Sequence, residues 1–252
     1  MRPRAHVEGK NRFDRFHPGT FTHLGSNDSM ATTSQERRLA ATVYQSERTS
    51  MPAELPACGS RFILWIDAVG GFLVVEDAAV AIGQAVPGNP VHVPLLADIS
   101  RHHATIRRDG EGYLIEAIRD VRVDGRVAAP GTWLSDGSLI EVGTAVRLKF
   151  RRPHPLSSSA RLECASRHQT LPSTSAVLLM SQNLVLGPSP RAHVVCPTWH
   201  AEAVLFRERE QLFCRAKGKI KVSGTAHVGR APIDHGSVVE GEGFSFSLEK
   251  IG

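Results

Sequence analysis

Cysteine is scarce. Four thiols, Cys58, Cys164, Cys196 and Cys214, lie far apart in 252 residues and include no C-x-x-C pair. That spacing writes neither a zinc site nor a disulfide framework into the chain, and reduced, partly buried thiols are the expectation. Long apolar runs are also missing. "SAVLLMSQNLVLG" breaks at Ser181, Gln182 and Asn183, well short of the roughly 20 apolar residues that a membrane-spanning helix needs. The opening "MRPRAHVEGKNRFDRFHPGTFTHLG" lacks the apolar centre and cleavage site of a secretory signal, so no membrane anchor is expected and the cytoplasm is the default location.

Catalytic arrangements are missing too. The chain shows no convincingly spaced paired carboxylates, no G-x-S-x-G elbow around Ser100 and His103, and no P-loop in "GQAVPGNP", so an enzyme is not expected. His102 and His103 could join Cys196 or His193 in a metal site only if distant parts of the chain faced each other; structural histidines are the simpler reading. No metal and no cofactor is expected. The formal net charge is +5 and the pI is about 9.3, which favours acidic or phosphorylated partners. The basic residues form no Lys/Arg block and no aromatic-interleaved basic helix, which argues against nucleic acid.

What is present is strand texture. Residues 1–57, rich in Ser, Thr, Arg, Pro and Gly, read as a disordered tail, with one short helical pattern around "SQERRLAATVYQSE" and internal methionines at Met30 and Met51. From Phe62 onward, short runs such as "RFILWI", "GGFLVVE", "GYLIEA" and "AVRLKF" are separated by Gly, Pro, Asn and Asp, the pattern of an all-β sandwich or barrel. In "AVRLKF", Val146, Leu148 and Phe150 share one face while Arg147 and Lys149 share the other. "RDGEGY", "VDGR" and "SDGS" put Asp-Gly where a reversing chain needs positive φ. The segment 153–175 has Pro, Ser and charge without periodicity and reads as a linker. Strand texture then resumes to the end.

The halves on either side of that linker can be overlaid. In the first, His103-Ala104 opens a strand, Val123-Asp124-Gly125 makes a turn, and "DGSLIE" follows with its glycine, Gly137, twelve residues after Gly125. In the second, His200-Ala201, Val222-Ser223-Gly224 and "HGSVVE" repeat the order, and Gly236 again falls twelve residues after Gly224. The histidine-to-glycine distances, 22 and 24 residues, differ by what one hairpin loop absorbs. An internal repeat of one β domain follows.

The order of Gly83, "SRHHA" (100–104), "VDG" (123–125) and "LSDGSLIEVG" (134–143) resembles the forkhead-associated (FHA) domain. The resemblance covers about residues 62–150, and the second half resembles a degenerate copy. It implies two antiparallel β-sandwiches in tandem, over 58–152 and 176–252, with the linker at 153–175. It further implies a protein-interaction module whose loops at one end grip phosphothreonine peptides through arginine and hydroxyl donors.

Carried over residue by residue, Ser100 matches the serine that donates to phosphate and Arg101 the basic residue beside it. His103 matches the histidine that braces the loop, with His102 its more exposed neighbour. Gly83 and Gly125 match the frame glycines. Three positions depart from the family. Gln84 stands where the phosphate-binding arginine is usual, Asp124 where an asparagine holds the peptide backbone, and Val121 where a small hydroxyl residue is usual. Arg122 and Arg126 flank the turn and offer compensating charge. In the second copy Gly187 is followed by Pro188, the serine position falls on Pro197, and only His200 and the glycines persist. Two readings stay open: a phosphothreonine-peptide reader with an atypical site (Ser100, Arg101, Gln84, Asp124, Arg122), and a phospho-independent scaffold or self-association module.

Overall fold

Alternating and continuous apolar runs of four to six residues, punctuated by positive-φ turns, leave the chain few options besides sheets. The computed structural model describes residues 61–154 and 156–251. The tail, its helical pattern, Met30, Met51 and Cys58 lie outside the described residues. Those described form one compact unit of twenty strands, and the all-β expectation holds. No helix among them is long and apolar enough to cross a membrane.

The first half contains β1 (Arg61–Ile66), β2 (Gly70–Val75), β3 (Ala79–Gln84), β4 (Val93–Leu95), β5 (Ala104–Asp109) and β6 (Gly112–Ala117). It continues with β7 (Val121–Val123), β8 (Arg126–Val127), β9 (Thr132–Leu134), β10 (Leu139–Val142) and β11 (Val146–Arg151). The second half contains β12 (Ala160–Cys164), β13 (Ala176–Leu179), β14 (Asn183–Gly187), β15 (Val194–Val195) and β16 (Ala203–Glu208). It ends with β17 (Gln211–Val222), β18 (Thr225–Ile233), β19 (Val238–Gly241) and β20 (Phe244–Lys250). The five-stranded sheet β4-β3-β5-β6-β9 has its counterpart in β15-β14-β16-β17-β18, where β17 and β18 are each long enough to serve both layers of the second half.

The backbone bonds of the paired turns recur in both halves. Asp124 and Ser223 both have positive φ, at 52° and 46°, and each is followed by a positive-φ glycine, the signature of a tight hairpin turn. Asp124 N donates to Leu139 O as Ser223 N donates to Val238 O, and Gly137 N donates to Phe150 O as Gly236 N donates to Leu248 O. Ser138 and Ser237 are both buried, and their hydroxyls accept from Ser135 N and Asp234 N.

The tandem arrangement expected from sequence needs correcting in one respect, because the halves exchange strands. The last strand of the first half, β11, pairs with β12, the opening strand of the second half, while β20 pairs back with β1. A parallel pairing of β2 with β13 joins the two exchanges into one continuous sheet. The segment expected as a linker therefore carries a sheet strand. Its Arg161 and Glu163 on one face and Ala160 and Leu162 on the other do alternate, but the strand is too short and too densely flanked by Pro and Ser for its period to show.

Two cores result, and β1, β2 and β13 wall both. Phe62, Leu64, Ile66, Phe72, Val74, Ala176 and Leu178 face the second core. Ile63, Leu73, Val75, Val177 and Leu179 face the first. Burial on both faces explains why "FLVV" and "AVLL" are continuous apolar runs and not alternating ones. Each large side chain fully removed from water contributes about 1.5–3 kcal/mol, so neither half keeps its core without the other's strands. The Glu76 carboxylate, nearly buried just after β2, pairs with Arg207 of β16 at 2.9 Å and ties the halves again.

A pair of histidines repeats inside the sheets. His92 Nδ1 accepts from Ala81 N at 3.0 Å, and His193 Nδ1 accepts from Val185 N at 2.9 Å. Both rings are fully buried. Their neighbours Val93 and Val194 occupy matching places in the parallel pairs β3–β4 and β14–β15. Burial, reinforced by His154 stacked at 5.9 Å and by Arg161, lowers the His193 pKa to about 4. Among the described residues Cys164, Cys196 and Cys214 are unbridged, and burial pushes the Cys196 thiol up to about 11 and Cys214 up to about 12.

Two outcomes follow from this architecture. Phe62 is a first-half residue buried in the second core, so Phe62→Ala should cost about 3–5 kcal/mol. Urea unfolding should stay one transition, with Trp133 of the first half and Trp199 of the second reporting the same lowered midpoint; separate transitions would contradict the shared wall. For His193 the unfolded ring titrates near 6.5 and the folded ring near 4, so the unfolded state binds the extra proton between those values. Stability is full above pH 6.5 and falls on acidification toward pH 4, by about 3 kcal/mol at most. His193→Asn should flatten that part of the stability profile measured by denaturant midpoints.

Candidate functional site

The stretch "DISRHH" connects β4 to β5, and its path is set by a glycine. A Cβ on Gly83 would lie 1.7 Å from the carbonyl oxygen of Arg101 and 3.2 Å from His102 N. Only a residue without a side chain lets β3 run this close to the loop. Gln84 N donates to Ser100 O at 3.0 Å. Asn89, in the turn "PGNP", donates from Nδ2 to both Gln84 O and Arg101 O at 2.8 Å. The backbone of Ser100 and Arg101 is thus clamped to the end of β3.

His103 provides the other anchor. It is buried at 5% exposure, its Nδ1 accepts from Ser100 N at 3.2 Å, and Nε2 lies 2.9 Å from Asp120 O. An acceptor Nδ1 and a carbonyl partner at Nε2 describe the neutral ring with its proton on Nε2. The His103 carbonyl in turn accepts from Ile118 N and Arg119 N, and Asp120 O also accepts from Gly143 N. One imidazole therefore ties the Ser100 loop to the β6–β7 loop and the β10–β11 turn. His102 is half-buried with Nε2 2.8 Å from Thr105 Oγ1. Burial, aided by His92, lowers its pKa below the ordinary histidine value.

With its backbone held, the loop presents side chains. Ser100 is half-buried and Arg101 exposed. Among the described residues neither the Ser100 hydroxyl nor the Arg101 guanidinium has a hydrogen-bond or ion-pair partner. Gln84 sits beside them, half-buried. Of the sequence-derived site residues, Gly83, Gln84, Ser100, Arg101 and His103 are brought together.

The turn residues are placed elsewhere. Asp124 is exposed, but both its carboxylate oxygens are engaged within the fold, Oδ1 accepting from Leu139 N at 2.8 Å and Oδ2 from the Ser138 hydroxyl at 3.1 Å. It fastens the β7–β8 turn to β10, a task Ser223 repeats more weakly toward Val238 N at 3.4 Å. Gly125 supplies the second positive φ of that turn, at 77°. Arg122 is exposed on β7, in register with Glu141, and Glu141 itself faces Arg147 at 3.6 Å. No hydrogen bond or ion pair among the described residues joins Asp124, Gly125 or Arg122 to the Ser100 loop. Val121 is buried in the core, so its side chain is withdrawn from any ligand.

Two residues escape the sequence reading. Asn89 clamps the loop, and the only trace of it is a turn tetrapeptide. Arg119, exposed on the β6–β7 loop, is brought beside the Ser100 loop through the His103 carbonyl; nothing in its spacing from Ser100 shows this. In the second half Gly187 keeps the close approach, its Cβ position lying 3.1 Å from Glu202 Cα. His200 does not repeat the brace of His103. It is exposed and makes no hydrogen bond among the described residues, while the neighbouring Trp199 is buried against Phe244, with ring centroids 5.1 Å apart.

No protein-family model matches the chain, and no curated protein matches it. Among solved structures it is similar to Mycobacterium tuberculosis EmbR, solved in complex with a low-affinity phosphopeptide, at 25% identity and a TM-score of 0.28. That likeness covers 49% of this chain and 32% of EmbR, so the chain spans about a third of that protein's length. It is also similar to the N-terminal FHA domain of EssC, a component of the bacterial type VII secretion apparatus, at 12% identity over 72% of this chain and 82% of that domain, with a TM-score of 0.21.

Proposed function

We propose that this chain is a non-catalytic protein-interaction module of FHA type, and that the loop at Ser100 and Arg101 reads phosphothreonine in an atypical way. The observation that carries this reading is the clamped loop. Its backbone is spent on Gly83, Asn89 and His103, while one hydroxyl and one guanidinium beside each other are left without partners. A hydroxyl donor and a planar, permanently charged fork suit phosphate oxygens. Arg119, on the adjoining loop that His103 grips, offers a second cation, its guanidinium donating among the described residues only to Ile118 O at 3.2 Å. Asp124, its carboxylate occupied by Leu139 and Ser138, acts as a turn lock and not as a ligand contact. Gln84, at the rim, contributes a neutral amide, and Arg122 at most a distant charge. The second half is a degenerate copy that keeps the sheets and lacks the loop chemistry.

The alternative of a phospho-independent scaffold draws support from Gln84 and from the strand exchange, which makes the two halves one rigid interaction platform. The two readings separate in one experiment. Matched phosphothreonine and unphosphorylated peptide pools are passed over the immobilised protein, with Ser100→Ala and Arg101→Ala alongside the parent chain. Preferential retention of the phosphorylated pool is expected, weakened at least tenfold by either substitution, since a hydrogen bond to a charged group contributes about 1.5–3 kcal/mol. Equal retention of both pools, unchanged by the substitutions, would leave only the scaffold.

A further inference from the structure

The outer face of β17 carries Arg215, Lys217, Lys219 and Lys221 at alternate positions, and all four are exposed. Among the described residues none of them is held in an ion pair or a side-chain hydrogen bond. Beside this ladder β18 pairs with β17 alone, so its other edge is unpaired within the described sheet. We propose that this face and edge dock an acidic segment of a partner protein, which adds to β18 as an extended strand.

The geometry suits that occupant. Lys219 and Lys221 register with Val228 and Ala226 of β18, two short side chains that leave a path across the strand. An added strand would lie about 9.6 Å from β17, two inter-strand spacings away, and its own alternate side chains would repeat every 6.7 Å or so, as the lysines do. An extended lysine and a glutamate together span that gap over Ala226. Val228, 78% exposed, offers an apolar contact at the same edge. The accessible stretch is Thr225–Val228, because Gly229 with its φ of 71° and the N–H-less Pro232 interrupt the edge beyond it.

Lysines often guard sheet edges against pairing, but here they stand one strand inward, and β18 carries no lysine of its own. A second copy of the chain is disfavoured, since β18 against β18 would set the two ladders facing each other. Nucleic acid is disfavoured by the aromatics. Phe206 and Phe213 stack at 5.6 Å, but the Arg230 guanidinium lies 3.9 Å from the Phe213 ring centroid and is itself paired with Glu208, leaving no open platform for bases. Glu240, in register with Lys221, is the one carboxylate on the strand facing the ladder, and it leaves an excess of three cations. An incoming peptide backbone also satisfies the β18 edge, as a phosphodiester chain does not.

The test uses the full chain and fluorescein-labelled ten-residue peptides, read by anisotropy. A peptide alternating Glu and Val should bind. Its Gln–Val counterpart should bind at least tenfold more weakly, and so should a Glu–Val peptide N-methylated at every residue, which keeps the charge but has no backbone N–H to donate. Lys219→Gln with Lys221→Gln should lose at least tenfold in affinity for the Glu–Val peptide while keeping the parent melting temperature, both side chains being exposed. The proposal is overturned by absence of Glu–Val binding, by equal affinity for the Glu–Val peptide and its N-methylated form, by insensitivity to the double substitution, or by tighter binding of a ten-nucleotide oligothymidine.

Discussion

The parallel pairing of β2 with β13 is the contact on which the rest of the molecule depends. Four residue pairs, Phe72 to Val75 against Ala176 to Leu179, splice two exchanged hairpins into a wall with a hydrophobic core on each side. Parallel pairing is found where both faces of a sheet are covered, and here both are. With β1 completing the layer that ends in β20 and β12 completing the one that ends in β11, a half-chain would expose the unpaired edge of β11 or β20 and one side of its core. The exchange thus makes the two halves one folding unit. It also fixes the frame from which the Ser100 loop projects, since β3 leaves that wall directly through Glu76 and Asp77.

Within that frame the loop is held by neutral donors and acceptors and not by charge. His103 spans from Ser100 N to Asp120 O, and Asn89 spans from Gln84 O to Arg101 O. A buried neutral ring that accepts on one side and donates on the other satisfies two backbone groups at once, avoiding the penalty of about 1–3 kcal/mol for leaving either one buried and unmade. Holding the backbone this way means that ordering the loop is not a cost charged to ligand binding. The same economy appears at the β7–β8 turn, where Asp124 closes on Leu139 and Ser138.

Much of the fold was legible because its signals are local. Period-two alternation in β11, Asp-Gly and Ser-Gly turns, and the equal spacing to Gly137 and Gly236 each reflect backbone geometry within a few residues. The exchange was hidden, since β12 paired with β11 or with β20 would show the same alternation; only the doubly apolar "FLVV" and "AVLL" hinted at strands covered on both faces. The Ser100 loop was legible through its glycine, serine and histidine. Asn89 and Arg119 were not, because their distance to the loop is a property of the folded chain. The repeat pairs His103 with His200 by place, since their rings lie 3.5 Å and 3.4 Å from the Cβ positions of the matching turn glycines Gly143 and Gly243, but not by bonding; the histidines that also share their hydrogen bonds are His92 and His193.

That mismatch has a structural cause. In the first half the chain breaks between β6 and β7, and Ile118, Arg119 and Asp120 form the loop that His103 grips through both its carbonyl and its Nε2. In the second half the same stretch runs on as the single strand β17, with only a bulge near Gly218, and β8 and β9 likewise have a continuous counterpart in β18. With no break, there is no loop carbonyl at that position for a histidine to hold, so His200 is left at the surface. The continuous strand gives up a braced loop and gains length. That length aligns Arg215 through Lys221 on one exposed face and leaves an edge beside them that is open over Thr225–Val228. The two halves therefore present different surfaces from one plan: a gripped loop with a hydroxyl and a guanidinium in the first, and a cationic ladder beside an open strand edge in the second.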